Sequence, residues 1–162
     1  MNKHIVFLTR SQFGYHSDYY YYCKYLTANY KVTVICINAR FKIRKLKEVS
    51  VVYVKKRKYW DVISYLIHVV SYLKKQPLDL VVVNMFPFSF LLPFIFPHQK
   101  FVLDIRSGGV SEKRIARIYR NYALRLNSLC YSYVSIISKS LADLLKITNR
   151  HIFILPLGAE PF

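Results

Sequence analysis

Short apolar runs alternate along this chain with longer segments in which apolar residues recur at helical spacing. Seven of the short runs are rich in β-branched residues, and such runs predict strands. The run that follows Asp79, Leu-Val-Val-Val, is fully apolar, which is typical of a strand in a parallel sheet covered on both faces. The predicted strands are His4–Thr9, Lys31–Ile37, Val49–Val54, Asp79–Val83, Lys100–Ile105, Tyr133–Ile137 and Ile152–Leu155.

The segments between these runs predict helices, and Tyr59–Lys75 is the clearest of them. Its apolar residues fall on one stripe, and Pro77 follows it as a stop signal. Ser17 is a plausible N-cap for the first helix, and Phe86–Phe96 predicts a short buried helix between prolines. The predicted helices are Ser17–Asn29, Tyr59–Lys75, Phe86–Phe96, Val110–Leu129 and Lys139–Ile147.

This alternation predicts a doubly wound α/β domain with a mostly parallel, Rossmann-like sheet of about seven strands and helices on both faces. The length of 162 residues corresponds to a single domain over residues 1–162. The hydrophobic fraction of 54% supplies a core and excludes intrinsic disorder.

The predicted helix Val110–Leu129 is amphipathic, with apolar and basic residues on different arcs of its wheel. The apolar arc consists of Ile115, Ile118, Tyr119, Tyr122, Leu126 and Leu129. The basic residues, which we expect on the opposite arc, are Lys113, Arg114, Arg117, Arg120 and Arg125.

The formal net charge of +17 favours an anionic partner, whether nucleic acid, acidic lipid or a phosphorylated substrate. Half of this charge lies in Arg40–Lys58, which we interpret as a patch for a membrane surface or another anion, the alternative being a solvated loop and helix face. Together with part of the Val110–Leu129 helix, the predicted patch comprises Arg40, Lys42, Arg44, Lys45, Lys47, Lys55, Lys56, Arg57, Lys58, Lys113, Arg114 and Arg117.

The three cysteines are spaced without a CxxC or a Cys/His pattern. They predict reduced thiols in a cytoplasmic protein and no metal site. The first apolar run is too short for a signal peptide. The stretch Leu78–Pro97 has the length of a membrane span, but its three prolines and two polar residues argue against a spanning helix.

Ligands of open parallel sheets bind outside the carboxyl ends of the strands. This rule selects the loops Arg10–His16, Asn84–Phe86, Arg106–Gly109 and Ser138–Lys139. The sequence Arg106-Ser107-Gly108-Gly109 follows a strand and is expected to open a helix, so it is a candidate anion site; an ordinary βα turn is the equal alternative.

Two residues in these loops, His16 and Arg106, are candidate catalytic groups. His16 would act as a base, since histidine titrates near neutral pH. His16 has the alternative of an exposed loop histidine. Asp104 could orient Arg106 or a substrate hydroxyl, or it could be a satisfied edge carboxylate. No G-x-G-x-x-G and no P-loop sequence occurs, which argues against a nucleotide cofactor in this domain.

Five segments resemble the N-terminal half of a GT-B glycosyltransferase of the group 1, family 4 type. Four of them are similar to family segments in their order and spacing. These four are the first two strands, the segment Phe-Val-Leu-Asp-Ile-Arg-Ser-Gly, and the strand that ends at a serine. The last segment is similar to the Pro-x-Gly strand that leads into the second domain. They are His4–Thr9, Lys31–Ile35, Phe101–Gly108, Val134–Leu141 and His151–Glu160.

The resemblance implies an acceptor-binding domain of an enzyme that transfers a sugar to a lipid-linked or polysaccharide acceptor in bacterial surface glycan synthesis. It implies that the nucleotide-sugar binds a C-terminal domain or partner subunit, and that this half alone is inactive and peripheral at the inner face of the membrane. The first-loop glycine pair of the family is reduced to Gly14, and Arg106 stands where a histidine is common. The implied acceptor residues are Gly14, Tyr15, Asn84, Arg106, Ser107, Gly108, Gly109 and Ser138, with His16 beside them.

Two other function classes stay open at this point. A basic nucleic-acid-binding module would explain the charge, but no RNP, KH or helix-turn-helix pattern supports it. A small Rossmann-type enzyme with a nucleotide cofactor would share the fold, although the glycine fingerprint is missing.

Overall fold

The computed structural model describes residues 3–15, 17–57, 60–149 and 151–156. These residues contain one seven-stranded sheet in the order β3-β2-β1-β4-β5-β6-β7, and every neighbouring pair is parallel. The predicted doubly wound α/β class is therefore confirmed. The strands are β1 (His4–Leu8), β2 (Lys31–Asn38), β3 (Val49–Lys55), β4 (Leu80–Asn84), β5 (Phe101–Ile105), β6 (Tyr133–Ile136) and β7 (His151–Ile154).

Helices cover both faces of the sheet because its strands are apolar on both sides. On one face, side chains of four helices share a core with Val6 and Leu8 of β1. On the other face, Tyr19 and Cys23 pack on Ile5 and Phe7. The helices of the first face are α2 (Asp61–Leu73), α3 (Leu92–Ile95), α4 (Arg114–Leu129) and α5 (Lys139–Leu145), and that of the second is α1 (Ser17–Leu26).

The register brings together the polar residues at the carboxyl ends of the central strands. Asn84 of β4 lies beside Asp104 of β5, and Asp104 lies beside Ser135 of β6. The chain order reverses around β1, which lies between β2 and β4. Ligand sites of this fold class form at that edge.

All five helices are shorter in the structure than predicted, and two of the differences matter for the site and the surface. Helix α4 begins at Arg114, four residues later than predicted. The segment after β4 forms a 3-10 helix (Ser89–Leu91) and then α3, and Phe94 of α3 is exposed rather than buried. The apolar stretch that had the length of a membrane span is thus divided between a strand and two short helices, and in the described residues no helix is both long and apolar enough to cross a bilayer.

Helix α4 turns its apolar arc outward. The six residues of that arc are between 45% and 83% exposed, whereas Leu124 and Ser128 face the sheet. A surface helix ordinarily buries its apolar stripe. Counting 100° per residue, Arg114 and Arg125 border the apolar arc instead of lying opposite to it, which corrects the predicted wheel.

Candidate functional site

The candidate site lies at the carboxyl end of β5 and centres on an ion pair. The Nε of Arg106 donates to Oδ2 of Asp104 at 2.8 Å, and the side chains are 11% and 1% exposed. Arg106 also donates from Nη1 to the carbonyl oxygen of Leu155 at 3.0 Å. Burial lowers the pKa of Arg106, but the hydrogen bond and charge of Asp104 outweigh it and leave the pKa raised. The guanidinium therefore stays charged, and it joins the end of β5 to the segment after β7.

Helix α1 supplies two tyrosines to this ion pair. The hydroxyl of Tyr19 donates to the same Oδ2 of Asp104 at 2.9 Å, and the Arg106 guanidinium lies 4.7 Å from the ring centre of Tyr22. Burial, and then the charge of Asp104, raise the pKa of Tyr19 well above its usual value, against a hydrogen bond with Asn84 that lowers it. The Tyr19 hydroxyl thus stays protonated and keeps donating its hydrogen bond to the carboxylate.

A cavity of about 300 Å³ opens beside this cluster. Asn84, Asp104, Arg106 and Arg120 all line it, so two guanidinium groups, a carboxylate and a carboxamide share one cleft. The other oxygen of Asp104, Oδ1, is buried and has no hydrogen-bond partner among the described residues. Such a group usually bonds a water or a ligand. The cavity therefore places two arginines beside a carboxylate whose buried Oδ1 retains the capacity to accept a hydrogen bond.

The glycine turn that follows β5 is packed against α4. The N–H of Gly109 donates to Oδ1 of Asn121 at 2.6 Å. A Cβ on Gly109 would lie 2.6 Å from the carbonyl oxygen of Arg117. Gly109 therefore permits close packing of the helix, and its N–H is already used. Because α4 begins only at Arg114, the expectation that Gly108-Gly109 opens the helix is wrong.

One buried glutamine, Gln12, attaches the loop after β1 to the segment of residues 40–57, which is called the basic segment below. Oε1 of Gln12 accepts from the N–H of Ala39 at 2.9 Å and of Phe41 at 3.2 Å, and Nε2 donates to the carbonyl of Phe41 at 2.9 Å. Gly14 has a φ of +85°, and a Cβ there would lie 2.7 Å from the Cβ of Arg44. The chain needs glycine at this position for both reasons.

Tyr15 continues this contact with the basic segment. Its ring lies 4.7 Å from that of Phe41 and 5.6 Å from the guanidinium of Arg44. A cleft of about 510 Å³ lies next to it, lined by Gly14, Tyr15, Tyr20, Tyr21, Arg44 and Lys45. The structure thus joins two predicted acceptor residues with two residues of the predicted patch.

The remaining predicted site residues occupy varied positions. Ser107 is exposed in the glycine turn. Ser138 is the N-cap of α5, where its hydroxyl oxygen accepts from the N–H of Leu141 at 3.2 Å. Predicted catalytic residue His16 and predicted patch residue Lys58 lie outside the described residues.

The predicted basic patch is divided between the two layers of the molecule. In the segment after β2, Leu46 packs into the core under α1, so this segment belongs to the α1 layer. Arg114 and Arg117 belong to α4, on the other layer. The exposed basic residues of the first group are Arg40, Lys42, Arg44, Lys45, Lys47, Lys55, Lys56 and Arg57.

Sequence reasoning missed three residues of the central cluster, Tyr19, Tyr22 and Arg120. The spacing of the two tyrosines places them on one side of a helix, which was the available signal. Arg120 stood out only as one of several basic helix residues.

In the described ranges, no group of three or more His, Cys, Asp or Glu side chains could hold a metal ion. No family model matches the chain, and no curated protein matches it either. The site is therefore interpreted from its own geometry.

Proposed function

We propose that this chain is the acceptor-binding half of a glycosyltransferase that acts on a lipid-linked or polysaccharide acceptor in bacterial surface glycan synthesis. The observation that carries the proposal is the cavity at the carboxyl ends of β4 and β5. It combines Arg106 and Arg120 with an unpartnered carboxylate oxygen of Asp104. Guanidinium groups pair well with phosphate, and a carboxylate oxygen accepts a sugar hydroxyl. A sugar on a lipid diphosphate has both groups.

In this proposal each residue has a distinct task. Arg120 is exposed and donates from Nη1 to the carbonyl oxygen of Val110, and its remaining donors bind the diphosphate. Arg106 adds positive potential from its fixed place on Asp104. Asp104 Oδ1 orients the acceptor hydroxyl. Asn84 borders the cavity beside Asp104 and offers both a donor and an acceptor.

The donor nucleotide-sugar is expected to bind a C-terminal domain or a partner subunit, so sugar transfer requires that second half. The net charge of +17 suits an acceptor held at the inner face of an anionic membrane. The isolated chain is proposed to bind acceptor without catalysing transfer.

A binding experiment on the isolated chain tests the proposal. The ligand is a polyprenyl diphosphate carrying one sugar, in detergent micelles, with polyprenyl alcohol as a comparison. We expect Arg120→Gln to weaken binding about tenfold, since a charge-assisted hydrogen bond contributes about 1.5–3 kcal/mol. Arg117→Gln, three residues away on the same helix and not lining the cavity, is the matched control and should change binding less than twofold.

Other outcomes would reject the proposal. Equal affinity for the diphosphate and the alcohol would remove the role of the guanidinium groups. Binding of short DNA or RNA with a steep salt dependence, and no acceptor binding, would indicate a nucleic-acid module. Stabilisation by free nucleotides in a thermal-shift assay, again without acceptor binding, would favour a nucleotide-dependent enzyme.

A further inference from the structure

The polarity of α4 is reversed relative to that of an ordinary surface helix. Ile115 is 83% exposed, Tyr119 is 72% exposed and Leu129 is 60% exposed, and these residues lie along one arc of about 100°. A contiguous exposed apolar surface marks a site of interaction with a protein or a membrane. This surface, made of the six residues of the apolar arc, is called the α4 outer face below.

The orientation of α4 is fixed by polar contacts on its inner side. Asn121 accepts from the N–H of Gly109, and Asn127 lies 3.3 Å from the hydroxyl of Ser89. Leu124 fills the core between them. Rotation of the helix to bury its apolar arc would break these hydrogen bonds. The outward position of the apolar arc is therefore specified by the sequence.

The charges around the α4 outer face favour an anionic occupant. Arg114 and Arg125 border the apolar arc, and Lys113 precedes the helix as its N-cap. The first turn holds no acidic residue, although a helix N-terminus is stabilised by negative charge and destabilised by positive charge by about 0.3–1 kcal/mol. Arg114 therefore does not stabilise the helix itself, and an external anionic surface would stabilise its charge.

The same layer carries further exposed apolar side chains. Trp60 at the N-cap of α2, Ile67 of α2, Phe94 of α3 and Leu144 of α5 are each more than 60% exposed. All of these elements pack on one face of the sheet. A broad surface of this kind suits a bilayer, because aromatic rings and arginine stems settle at the boundary between headgroups and acyl chains.

Electrostatic repulsion argues against a second copy of the chain as the occupant. Each chain carries a formal charge of +17, so two copies that met at faces bordered by arginine would repel each other. An apolar arc bordered by arginines, on a helix of low overall hydrophobicity, is the pattern of helices that lie in a membrane interface.

We propose that α4 lies in the interfacial region of an anionic bilayer, with Ile115, Tyr122 and Leu129 toward the acyl chains. This inference rests on the proposed function only in supposing that a membrane is the natural partner. It places the bilayer against the α2–α5 layer, whereas the basic segment after β2 lies on the opposite layer. Its tests use no sugar substrate, so they can fail while acceptor binding succeeds, and the reverse.

Tryptophan fluorescence tests the position of the membrane directly. Trp60 is the single tryptophan of the chain, so Trp60→Phe gives a silent background. In that background Tyr122→Trp reports on α4 and Tyr25→Trp on α1, at positions that are 56% and 58% exposed. With vesicles of equal parts phosphatidylcholine and phosphatidylglycerol, we expect a blue shift for Tyr122→Trp and none for Tyr25→Trp. A blue shift for Tyr25→Trp alone, or for neither, would overturn the proposal.

A matched pair of charge substitutions provides a second test in the otherwise unchanged chain. Ile118→Glu lies on the α4 outer face, and Ile43→Glu lies in the basic segment; the two sites are 57% and 50% exposed. We expect Ile118→Glu to reduce vesicle co-sedimentation about tenfold, because it places a charge on the surface that enters the bilayer. Ile43→Glu alters the net charge equally but lies away from that surface, so it should change co-sedimentation less than twofold. The opposite ranking would place the membrane at the basic segment. Dimerisation without vesicles that Ile118→Glu abolishes would show a second copy as the occupant, and would overturn the proposal.

Discussion

Arg106 and Asp104 are two residues apart in the chain, and their side chains bond at 2.8 Å beneath the cavity of the candidate site. The hydroxyl of Tyr19, which is 85 residues from Asp104 in sequence, donates to the same carboxylate oxygen. Arg106 also donates to the carbonyl oxygen of Leu155 after β7. The ion pair thus connects α1, β5 and the segment after β7. The site is therefore part of what holds the sheet and its first helix together.

The first prediction follows from this double role of the ion pair. Asp104→Asn and Arg106→Gln should each lower the free energy of unfolding by about 3 kcal/mol, because each leaves a buried group without its charged partner. The double variant should lose less than the sum, with a coupling of about 1–3 kcal/mol. Urea denaturation of the four proteins measures the cycle.

Asp143→Asn is the control for this cycle, because Asp143 is exposed on α5 and should change stability by less than about 0.5 kcal/mol. Additive losses from Asp104→Asn and Arg106→Gln would mean that the two side chains are not energetically coupled.

The sheet could be predicted from the sequence because its strands are short β-branched runs that are buried on both faces. The start of α4 could not. Val110 continues the apolar period, but Gly109 and Val110 are held by Asn121 and Arg120 in a turn before the helix begins. The outward face of α4 could not be predicted either, because hydrogen bonds of Asn121 and Asn127 set it against the ordinary rule for amphipathic helices.

The candidate site could be predicted in position but not in its contacts. The carboxyl-edge rule selects the loops after β4 and β5, where Asn84 and Arg106 indeed line one cavity. The contact of Tyr19 with Asp104 depends on how α1 lies across the sheet, which no local pattern encodes. The predicted anion site at Gly108-Gly109 requires free backbone N–H groups. The N–H of Gly109 is not free, because it donates to Oδ1 of Asn121.

A second prediction concerns the two adjacent glycines. Gly109→Ala should lower the free energy of unfolding by about 2 kcal/mol, because its Cβ would meet the backbone oxygen of Arg117 at 2.6 Å. Gly108→Ala should lower the free energy of unfolding by less than about 1 kcal/mol. Its Cβ would lie 3.2 Å from Oδ1 of Asn121, and alanine also restricts the unfolded chain. Thermal or urea unfolding compares the two. Equal losses would contradict the close packing of α4 on Gly109.

A third prediction concerns His4 and mildly acidic pH. Burial, and then the charge of Lys31, lower the pKa of His4, whose Nε2 lies 2.9 Å from Oγ1 of Thr33. The unfolded chain therefore binds this proton more readily. The stability that neutral His4 contributes is complete above about pH 6.5 and is lost as the pH falls through the lowered pKa.

Urea midpoints at pH 7 and pH 5 measure this effect. The fall in stability should be smaller in His4→Gln than in the unchanged protein, whereas His98→Gln, at an exposed position, should leave it unchanged. An identical fall in all three proteins would assign the pH dependence to other groups.

The last prediction concerns alkaline pH and the two buried thiols. Burial raises the pKa of Cys23 to about 12 and that of Cys36 to about 11, whereas an unfolded thiol titrates near about 8.5. The folded state holds these protons more tightly, so their stabilising effect is complete below about pH 8.5 and is lost as the pH rises toward the folded values. Between pH 7 and pH 9.5 each thiol should account for a loss of about 1.4 kcal/mol in the free energy of unfolding. Cys23→Ala and Cys36→Ala leave cavities whose cost does not depend on pH, so the slope of stability against pH is the readout, and each variant should reduce it. A slope unchanged in both variants would show that neither thiol is held protonated by burial.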